Sequence, residues 1–286
     1  MVTLKHHRIS TKNQITIPVA ALDEVGPHAG ERGGTCAARL SFPAMSSSGT
    51  PLQVPTADGA TLRAEFFAPA GEGPHPGVVV LHESFGLNDD IRRIARRFAD
   101  AGYGALTPDL YSHGSRVVCL SRVIVAMLRG SVGREISDIR AARDALASRS
   151  EIDAERIAVA GFCQGGGFAL IAGTQPGFSA AAVNYGEVPG DRSRLDGVCP
   201  VVASYGGKDR LLGAKTAARL ERHLTAIGVP HDVKTYGEAG HSFFSEVDGW
   251  QGWLARVPTP MAVGHDEAAA RDGWQRMLSF FDEHVR

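Results

Sequence analysis

The sequence predicts an α/β protein built on an open, doubly wound and mostly parallel sheet with helices on both faces. Strand-like and helix-like segments alternate from residue 51 to the end of the chain, as such sheets require. The central strand-like segments are apolar throughout, which is typical of parallel strands that are buried on both faces. A chain of 286 residues, 43% of them hydrophobic, is long enough for one large domain with a substantial core.

The elements follow in order. The segment LQVPTADGATLRAEFF alternates around Asp58-Gly59, which predicts a hairpin. The run GVVVLHESFG predicts a buried strand, IRRIARRFADAG an amphipathic helix, and GALTPDLY a second buried strand. Helical spacing of Ile136, Ile139 and Leu146 predicts a helix over REISDIRAARDALASRS. The remaining elements are a strand IAVAG, strands AAAVNYG and PVVASYGG, a helix TAARLERHLTAIG, a strand VPHDVKTYG and a closing helix EAAARDGWQRMLSFFDEHV.

Residues 1–50 differ from the rest and are interpreted as an extension or linker, with residues 51–286 as the folded domain. Residues 29–50 are rich in Gly, Ala and Ser without a sustained period. The earlier segment ISTKNQITIP resembles the opening strand of AbrB- and MazE-type swapped-hairpin DNA-binding domains, but the closing strands are not recognisable. A disordered or adventitious extension is the preferred interpretation, and Met45 is a candidate natural start.

The composition favours a soluble protein of the cytoplasm. The net charge of -1 and the lack of a long basic run predict no nucleic-acid or anionic-membrane partner. No apolar stretch is long enough to span a bilayer, and the N-terminus lacks the apolar core of a signal peptide. The cysteines are too widely spaced for a disulfide framework or a zinc site, which fits a reducing compartment: Cys36, Cys119, Cys163 and Cys199.

The most informative segment is IAVAGFCQGGG, residues 157–167. Its pattern Gly161-Phe162-Cys163-Gln164-Gly165, between a strand and a helix, is that of a nucleophile elbow with cysteine as the nucleophile. A side chain at either glycine would collide with a neighbouring element, because the nucleophile occupies a tight, strained turn. The N-terminus of the next helix would stabilise a thiolate or a developing oxyanion. The alternative is an inert buried cysteine in a glycine-rich turn.

An acid and a histidine follow the elbow in the chain order of the α/β-hydrolase fold. Asp209 comes directly after the strand PVVASYGG, and His241 lies in a loop after the strand VPHDVKTYG. We therefore expect Cys163 to attack an acyl carbon and His241 to serve as acid and base. Asp209 would fix the imidazole tautomer and stabilise its charged form.

From about residue 52 to 285 the chain resembles dienelactone hydrolase (carboxymethylenebutenolidase) and its relatives. The segments that carry the resemblance are HESFGLNDDIRRIARRFADAGYGALTPDLY, GFCQGGG, SYGGKD, YGEAGHSFF and DEAAARDGWQRMLSFF. The resemblance implies that Glu83 holds the resting thiol and takes its proton when substrate arrives. It also implies an oxyanion hole made by the backbone N–H groups of Gln164 and Ser84.

The substrate is less well defined than the chemistry. Phe85 and Tyr111 are candidate pocket residues, with a core role as the alternative. Relatives that act on the carboxylated lactone hold its carboxylate with two arginines, and those positions here read His113 and Ser245. Arg116 is near enough to substitute for the first arginine, so His113 and Arg116 are kept as candidate substrate-binding residues.

The leading hypothesis is a cysteine hydrolase of small esters or lactones that needs no metal or organic cofactor. A carboxylesterase or thioesterase with the same three residues is the close alternative, and a non-catalytic redox or regulatory protein is the alternative from another class. The segment 247–264 is interpreted as an insertion, either a lid or a surface element. We expect a monomer or small homo-oligomer.

Overall fold

The computed structural model describes residues 49–114, 133–246 and 259–286. The domain boundary predicted near residue 50 remains a prediction, because residues 1–48 lie outside this part of the chain. Within the described residues, no helix is long and apolar enough to cross a membrane.

The described strands form one eight-stranded sheet. They are β1 (Thr50–Pro55), β2 (Thr61–Phe67), β3 (His75–Leu81), β4 (Gly104–Pro108), β5 (Ile152–Phe162), β6 (Ala180–Asn184), β7 (Val201–Gly206) and β8 (His231–Tyr236). Strand β2 pairs antiparallel with both of its neighbours, β1 and β4. All other neighbouring strands pair parallel. This confirms the predicted doubly wound, mostly parallel sheet. The order of the strands across the sheet is β1-β2-β4-β3-β5-β6-β7-β8.

Helices cover both faces of the sheet, as predicted. They are α1 (Asp89–Asp100), α2 (Gly133–Ala147), α3 (Gln164–Ala172), α4 (Ala214–Ile227) and α5 (Glu267–His284), with a short 3₁₀ helix at Arg192–Leu195. Successive residues of a strand point to opposite faces, so Val79 of β3 packs in the cluster with α2, α3 and α4. Its neighbour Val80 packs in the cluster with α1 and α5. The parallel strands therefore have two buried faces, which explains their apolar sequences.

The hairpin predicted at Asp58-Gly59 is confirmed, since β1 and β2 pair antiparallel across that turn and Gly59 has φ +80°. Strand β5 begins earlier than the predicted segment IAVAG. Its first residue, Ile152, pairs with His75 across an irregularity in the register, and the polar residues that follow extend the strand. The apolar run alone could not indicate this start, because residues 153–156, between Ile152 and the buried run, are only partly buried or exposed.

Candidate active site

Cys163 occupies a strained turn between β5 and α3. Its backbone has φ 53° and ψ -118°, a combination that non-glycine residues rarely adopt and that is concentrated at functional sites. A Cβ at Gly161 would lie 1.9 Å from the carbonyl oxygen of Gly165, and one at Gly165 would lie 2.5 Å from that of Leu81. Both glycines are therefore required by close backbone contacts, as the elbow pattern predicts.

Backbone hydrogen bonds hold the turn in place. The N–H of Cys163 donates to the carbonyl of Asn184 at 3.0 Å, and the Asn184 side chain donates to the carbonyl of Gly161 at 3.1 Å. Cys163 is the N-cap of α3, but its side chain makes no capping hydrogen bond. The sulfur thus lies at the positive end of the helix dipole and is available to other partners.

His241 connects Cys163 to Asp209. Its Nε2 lies 3.1 Å from Sγ of Cys163, and its Nδ1 donates to Oδ2 of Asp209 at 2.8 Å. The other carboxylate oxygen of Asp209 accepts from the backbone N–H groups of Leu211 and Leu212 at 2.9 and 3.0 Å. Asp209 follows β7 and His241 follows β8, so the carboxyl ends of parallel strands bring the three predicted residues together.

The charges of His241 and Asp209 stabilise one another. Burial acts to lower the pKa of His241, but hydrogen bonds with Asp209 and Cys163 outweigh it and raise the pKa to about 10. Burial acts to raise the pKa of Asp209, yet the hydrogen bonds from His241, Leu212 and Leu211 bring it below its ordinary value. An imidazolium and a carboxylate are therefore the stable forms near neutral pH.

Glu83 is buried at the end of β3 and does not face solvent. Its Oε1 accepts hydrogen bonds from the hydroxyls of Ser245 at 2.8 Å and Tyr185 at 3.1 Å. Burial is the largest cause that raises the pKa of this carboxyl, and the two hydroxyls and the charge of His241 only partly offset it. The sequence did not indicate either hydroxyl partner, although Tyr185 directly follows β6 at the same edge of the sheet as Cys163.

The two predicted oxyanion-hole residues also lie side by side. The hydroxyl of Ser84 donates to Oε1 of Gln164 at 3.1 Å. Tyr111 is buried, and its hydroxyl lies 3.2 Å from both Oε1 of Gln164 and the carbonyl oxygen of Ser84. Phe85, in contrast, is 37% exposed, as a residue at a pocket entrance would be. Substrate contacts of Phe85 and Tyr111 stay predictions.

Of the other two predicted substrate-binding residues, His113 and Arg116, the structure describes only His113. Nε2 of His113 lies 2.8 Å from Oδ2 of Asp138 on α2, and both side chains are almost fully buried in this pair. That pairing ties the loop after β4 to α2, and substrate binding by His113 stays a prediction. Arg116 lies outside the described residues.

The predicted insertion at 247–264 is described only in its last six residues. These residues flank the histidine loop: the N–H of His241 donates to the carbonyl of Met261 at 2.9 Å, and the N–H of Gly264 donates to the carbonyl of His241 at 3.1 Å. They therefore help to fix the backbone of His241. Residues 247–258 lie outside the described part of the chain. Within the described part, no group of three or more His, Cys, Asp or Glu side chains is arranged to hold a metal ion.

A mostly parallel sheet with a nucleophile elbow, followed by an acid and a histidine at later strand ends, defines the α/β-hydrolase class. Residues 62–285 match the model of the dienelactone hydrolase family, and the chain belongs to that family. It is accordingly a hydrolase that acts on ester bonds. This confirms the family and fold predicted from the motifs.

Individual relatives agree with this assignment. A protein of Salmonella typhimurium named "Putative carboxymethylenebutenolidase" is 32% identical over 75% of this chain and 80% of its own length. A protein of the same name from Methylorubrum extorquens is 30% identical over 82% of this chain and 80% of its own length. A solved dienelactone hydrolase-like promiscuous phosphotriesterase from metagenomic libraries is 30% identical, with a TM-score of 0.68, and the match covers 84% of this chain and all of the other.

Proposed function

We propose that this chain hydrolyses small esters or lactones through an acyl-enzyme on Cys163. The observation that carries the proposal is the continuous row from Sγ of Cys163 through the His241 ring to Asp209, with contacts of 3.1 and 2.8 Å. The row begins at the strained N-cap of α3, where the helix dipole favours negative charge on sulfur. An inert structural cysteine would need neither the strain nor the ordered partners.

Glu83 is proposed to take the proton of the Cys163 thiol. A buried carboxyl with a raised pKa binds a proton more readily than an ordinary glutamate, so it is a suitable acceptor. Transfer leaves a thiolate and a neutral carboxylic acid, and the buried cluster then carries no unpaired carboxylate. The sulfur faces His241 in this structure, which is the orientation that attack on an acyl carbon requires.

The reaction then proceeds in two halves. The thiolate forms a C–S bond with the acyl carbon, and the carbonyl electrons move to oxygen, where the N–H groups of Gln164 and Ser84 stabilise them. The intermediate collapses, and the leaving alkoxide takes the proton from Nε2 of His241. Water then gives a proton to His241 and attacks the thioester carbon, which expels the thiolate and releases the carboxylic acid.

The surroundings of Glu83 favour an uncharged acyl substrate. Ser245 stands where the family resemblance leads us to expect a carboxylate-binding arginine, and its hydroxyl is bound to Glu83. A carboxylesterase or thioesterase is therefore the second candidate. The proposal further includes a cytoplasmic location, for which the widely spaced cysteines are the support, and a monomer or small homo-oligomer. The near-neutral charge supports the absence of a nucleic-acid partner.

An activity panel tests the proposed function. The substrates are a carboxylated dienelactone, unactivated lactones, p-nitrophenyl esters of increasing chain length, acyl thioesters and an aryl phosphotriester. We expect hydrolysis of short neutral esters, and Cys163→Ala should lower kcat by about a thousandfold or more. Cys199→Ala is the matched control, because burial raises the pKa of that core thiol to about 12 and should leave it unreactive. Retained turnover in Cys163→Ala would refute the mechanism.

Glu83→Gln separately tests the proton acceptor. Because the amide cannot take the thiol proton, the single-turnover acylation rate at neutral pH should fall. The difference from the wild-type rate should shrink as the pH rises, because a higher pH ionises the thiol directly. Glu72→Gln, at an exposed position, is the matched control. An unaltered acylation rate in Glu83→Gln would remove Glu83 from the mechanism.

A further inference from the structure

The carboxamide oxygen of Gln164 joins two hydroxyls that come from different loops. Ser84, after β3, donates to it at 3.1 Å, and Tyr111, after β4, lies at 3.2 Å. The Tyr111 hydroxyl is equally close to the carbonyl oxygen of Ser84, so its single hydrogen is shared between the two acceptors. We call these three residues, Ser84, Tyr111 and Gln164, the oxyanion clamp.

The clamp connects the two residues whose backbone N–H groups are proposed to hold the oxyanion. Gln164 is the first residue of α3, whereas Ser84 belongs to the loop after β3. Oxyanion donors must be fixed to within a fraction of an ångström, because a displacement of about 1 Å costs on the order of a hundredfold in rate. A side-chain bridge between the two segments supplies this restraint.

Tyr111 is itself held firmly. It is buried, and its ring packs edge-on against His82 with 4.9 Å between the ring centroids. Nε2 of His82 in turn accepts the backbone N–H of Leu110 at 3.1 Å, and its Nδ1 donates to the carbonyl of Glu83 at 2.7 Å. The hydroxyl of Tyr111 is thus a fixed point against which Ser84 and Gln164 are positioned.

The clamp is not explained by folding stability. Nε2 of Gln164 is buried and has no hydrogen-bond acceptor among the described residues. An unpaired buried amide group opposes folding, and an apolar side chain of similar length would avoid that cost. An amide at this position therefore has a stability cost, and its oxygen is the atom that makes the contacts of the clamp.

We propose that Gln164 and Tyr111 are positioning residues that fix the spacing of the Ser84 and Gln164 backbone N–H donors around the reacting oxygen. The inference rests on the proposed acyl-enzyme mechanism and extends it to the side chains of Gln164 and Tyr111. Without the clamp, attack on the acyl carbon is slowed because the tetrahedral oxyanion is less well stabilised. The reactivity of the sulfur itself is unchanged.

The test compares Gln164→Met, Tyr111→Phe and the double variant in the full-length chain. Gln164→Met keeps the side-chain length and removes the acceptor, whereas Tyr111→Phe removes one hydroxyl. Tyr103→Phe is the matched control, since the Tyr103 hydroxyl bonds Asp282 on α5, away from Cys163. The readouts are kcat and KM for a p-nitrophenyl ester, affinity for an aryl trifluoromethyl ketone, alkylation by iodoacetamide, and melting temperature.

Each single variant should lower kcat and weaken trifluoromethyl ketone binding at least about tenfold, because both depend on the oxyanion. KM and iodoacetamide alkylation should change less than about twofold, since alkylation forms no oxyanion. The melting temperature should shift by less than about 3 °C. The double variant should be no more than about threefold worse than the poorer single variant, because the clamp acts as a unit.

Unchanged kcat and ketone affinity in both single variants would overturn the clamp while leaving the acyl-enzyme mechanism intact. Equal losses in alkylation and in ester turnover would also overturn it, since they would indicate a damaged nucleophile. Failure of the wild-type protein to show Cys163-dependent ester hydrolysis in the same assay would refute the proposed function and the clamp together.

Discussion

Asp209→Asn is the substitution whose consequence follows most directly from the geometry. Nδ1 of His241 donates to Asp209 at 2.8 Å, and this charged hydrogen bond opposes the effect of burial on the imidazole. The His241 pKa rises from 6.5 to about 10. At about 1.36 kcal/mol per pKa unit, this rise corresponds to roughly 5 kcal/mol that favours the imidazolium over the neutral imidazole. Cys163 contributes part of this energy, so the loss of Asp209 removes only a share of it.

A dependence of stability on pH and an effect on turnover follow. A raised histidine pKa adds stability that is fully present below about pH 6.5 and is lost as the pH rises through about 10. The free energy of unfolding of the wild-type protein should therefore decline between these pH values, and the decline should be shallower in Asp209→Asn. The substitution should also lower kcat severely, because asparagine favours the wrong imidazole tautomer.

Histidine-labelled protein studied by NMR provides the assay. The His241 signal is assigned by its disappearance in His241→Ala and is titrated in wild type, Asp209→Asn and the control Asp191→Asn, which changes an exposed aspartate at a helix cap. We expect a midpoint above pH 9 in wild type and in the control, and a midpoint at least one pH unit lower in Asp209→Asn. A wild-type midpoint near 6.5, or one that Asp209→Asn leaves in place, would refute the reasoning.

Two further predictions concern the backbone and the chain boundary. Gly161→Ala should abolish activity and lower the melting temperature, because its Cβ would lie 1.9 Å from the carbonyl oxygen of Gly165, whereas Gly190→Ala meets nothing within 4 Å and should change neither. An active, stable Gly161→Ala protein would show that the elbow relaxes more easily than its contacts indicate. Removal of residues 1–44 should leave activity and melting temperature essentially intact, as measured by turnover and thermal unfolding; a large loss of either would mean that these residues pack on the enzyme.

The sequence predicted the parts of the site that follow from topology. Parallel strands end at one edge of the sheet, so residues directly after β5, β7 and β8 had to meet there. Cys163, Asp209 and His241 were found for that reason, and the two glycines around Cys163 made the turn itself recognisable.

Side-chain partners could not be predicted in the same way. Glu83 meets Tyr185 and Ser245, which are 102 and 162 residues away in the chain, through loops whose paths no local pattern encodes. Tyr185 and Ser242 both adopt positive φ, at 43° and 57°, conformations that their residue types do not indicate.

His113 and Tyr111 illustrate the same limit in a single loop. Both were singled out as candidate substrate residues, yet their polar atoms contact Asp138, Ser84 and Gln164 within the protein. Their distance in sequence from a motif indicated which part of the fold they occupy. Side-chain packing determined which residues they contact.

The central claim is that Cys163 carries the acyl group. Rapid-quench mass spectrometry of the intact protein with a slowly deacylating p-nitrophenyl ester measures this directly, and peptide mapping locates the modification. We expect a mass increase equal to the acyl group on the peptide that contains Cys163, formed as fast as the burst of nitrophenol and absent in Cys163→Ala. An acyl group on another residue, or a nitrophenol burst with no adduct on Cys163, would contradict it.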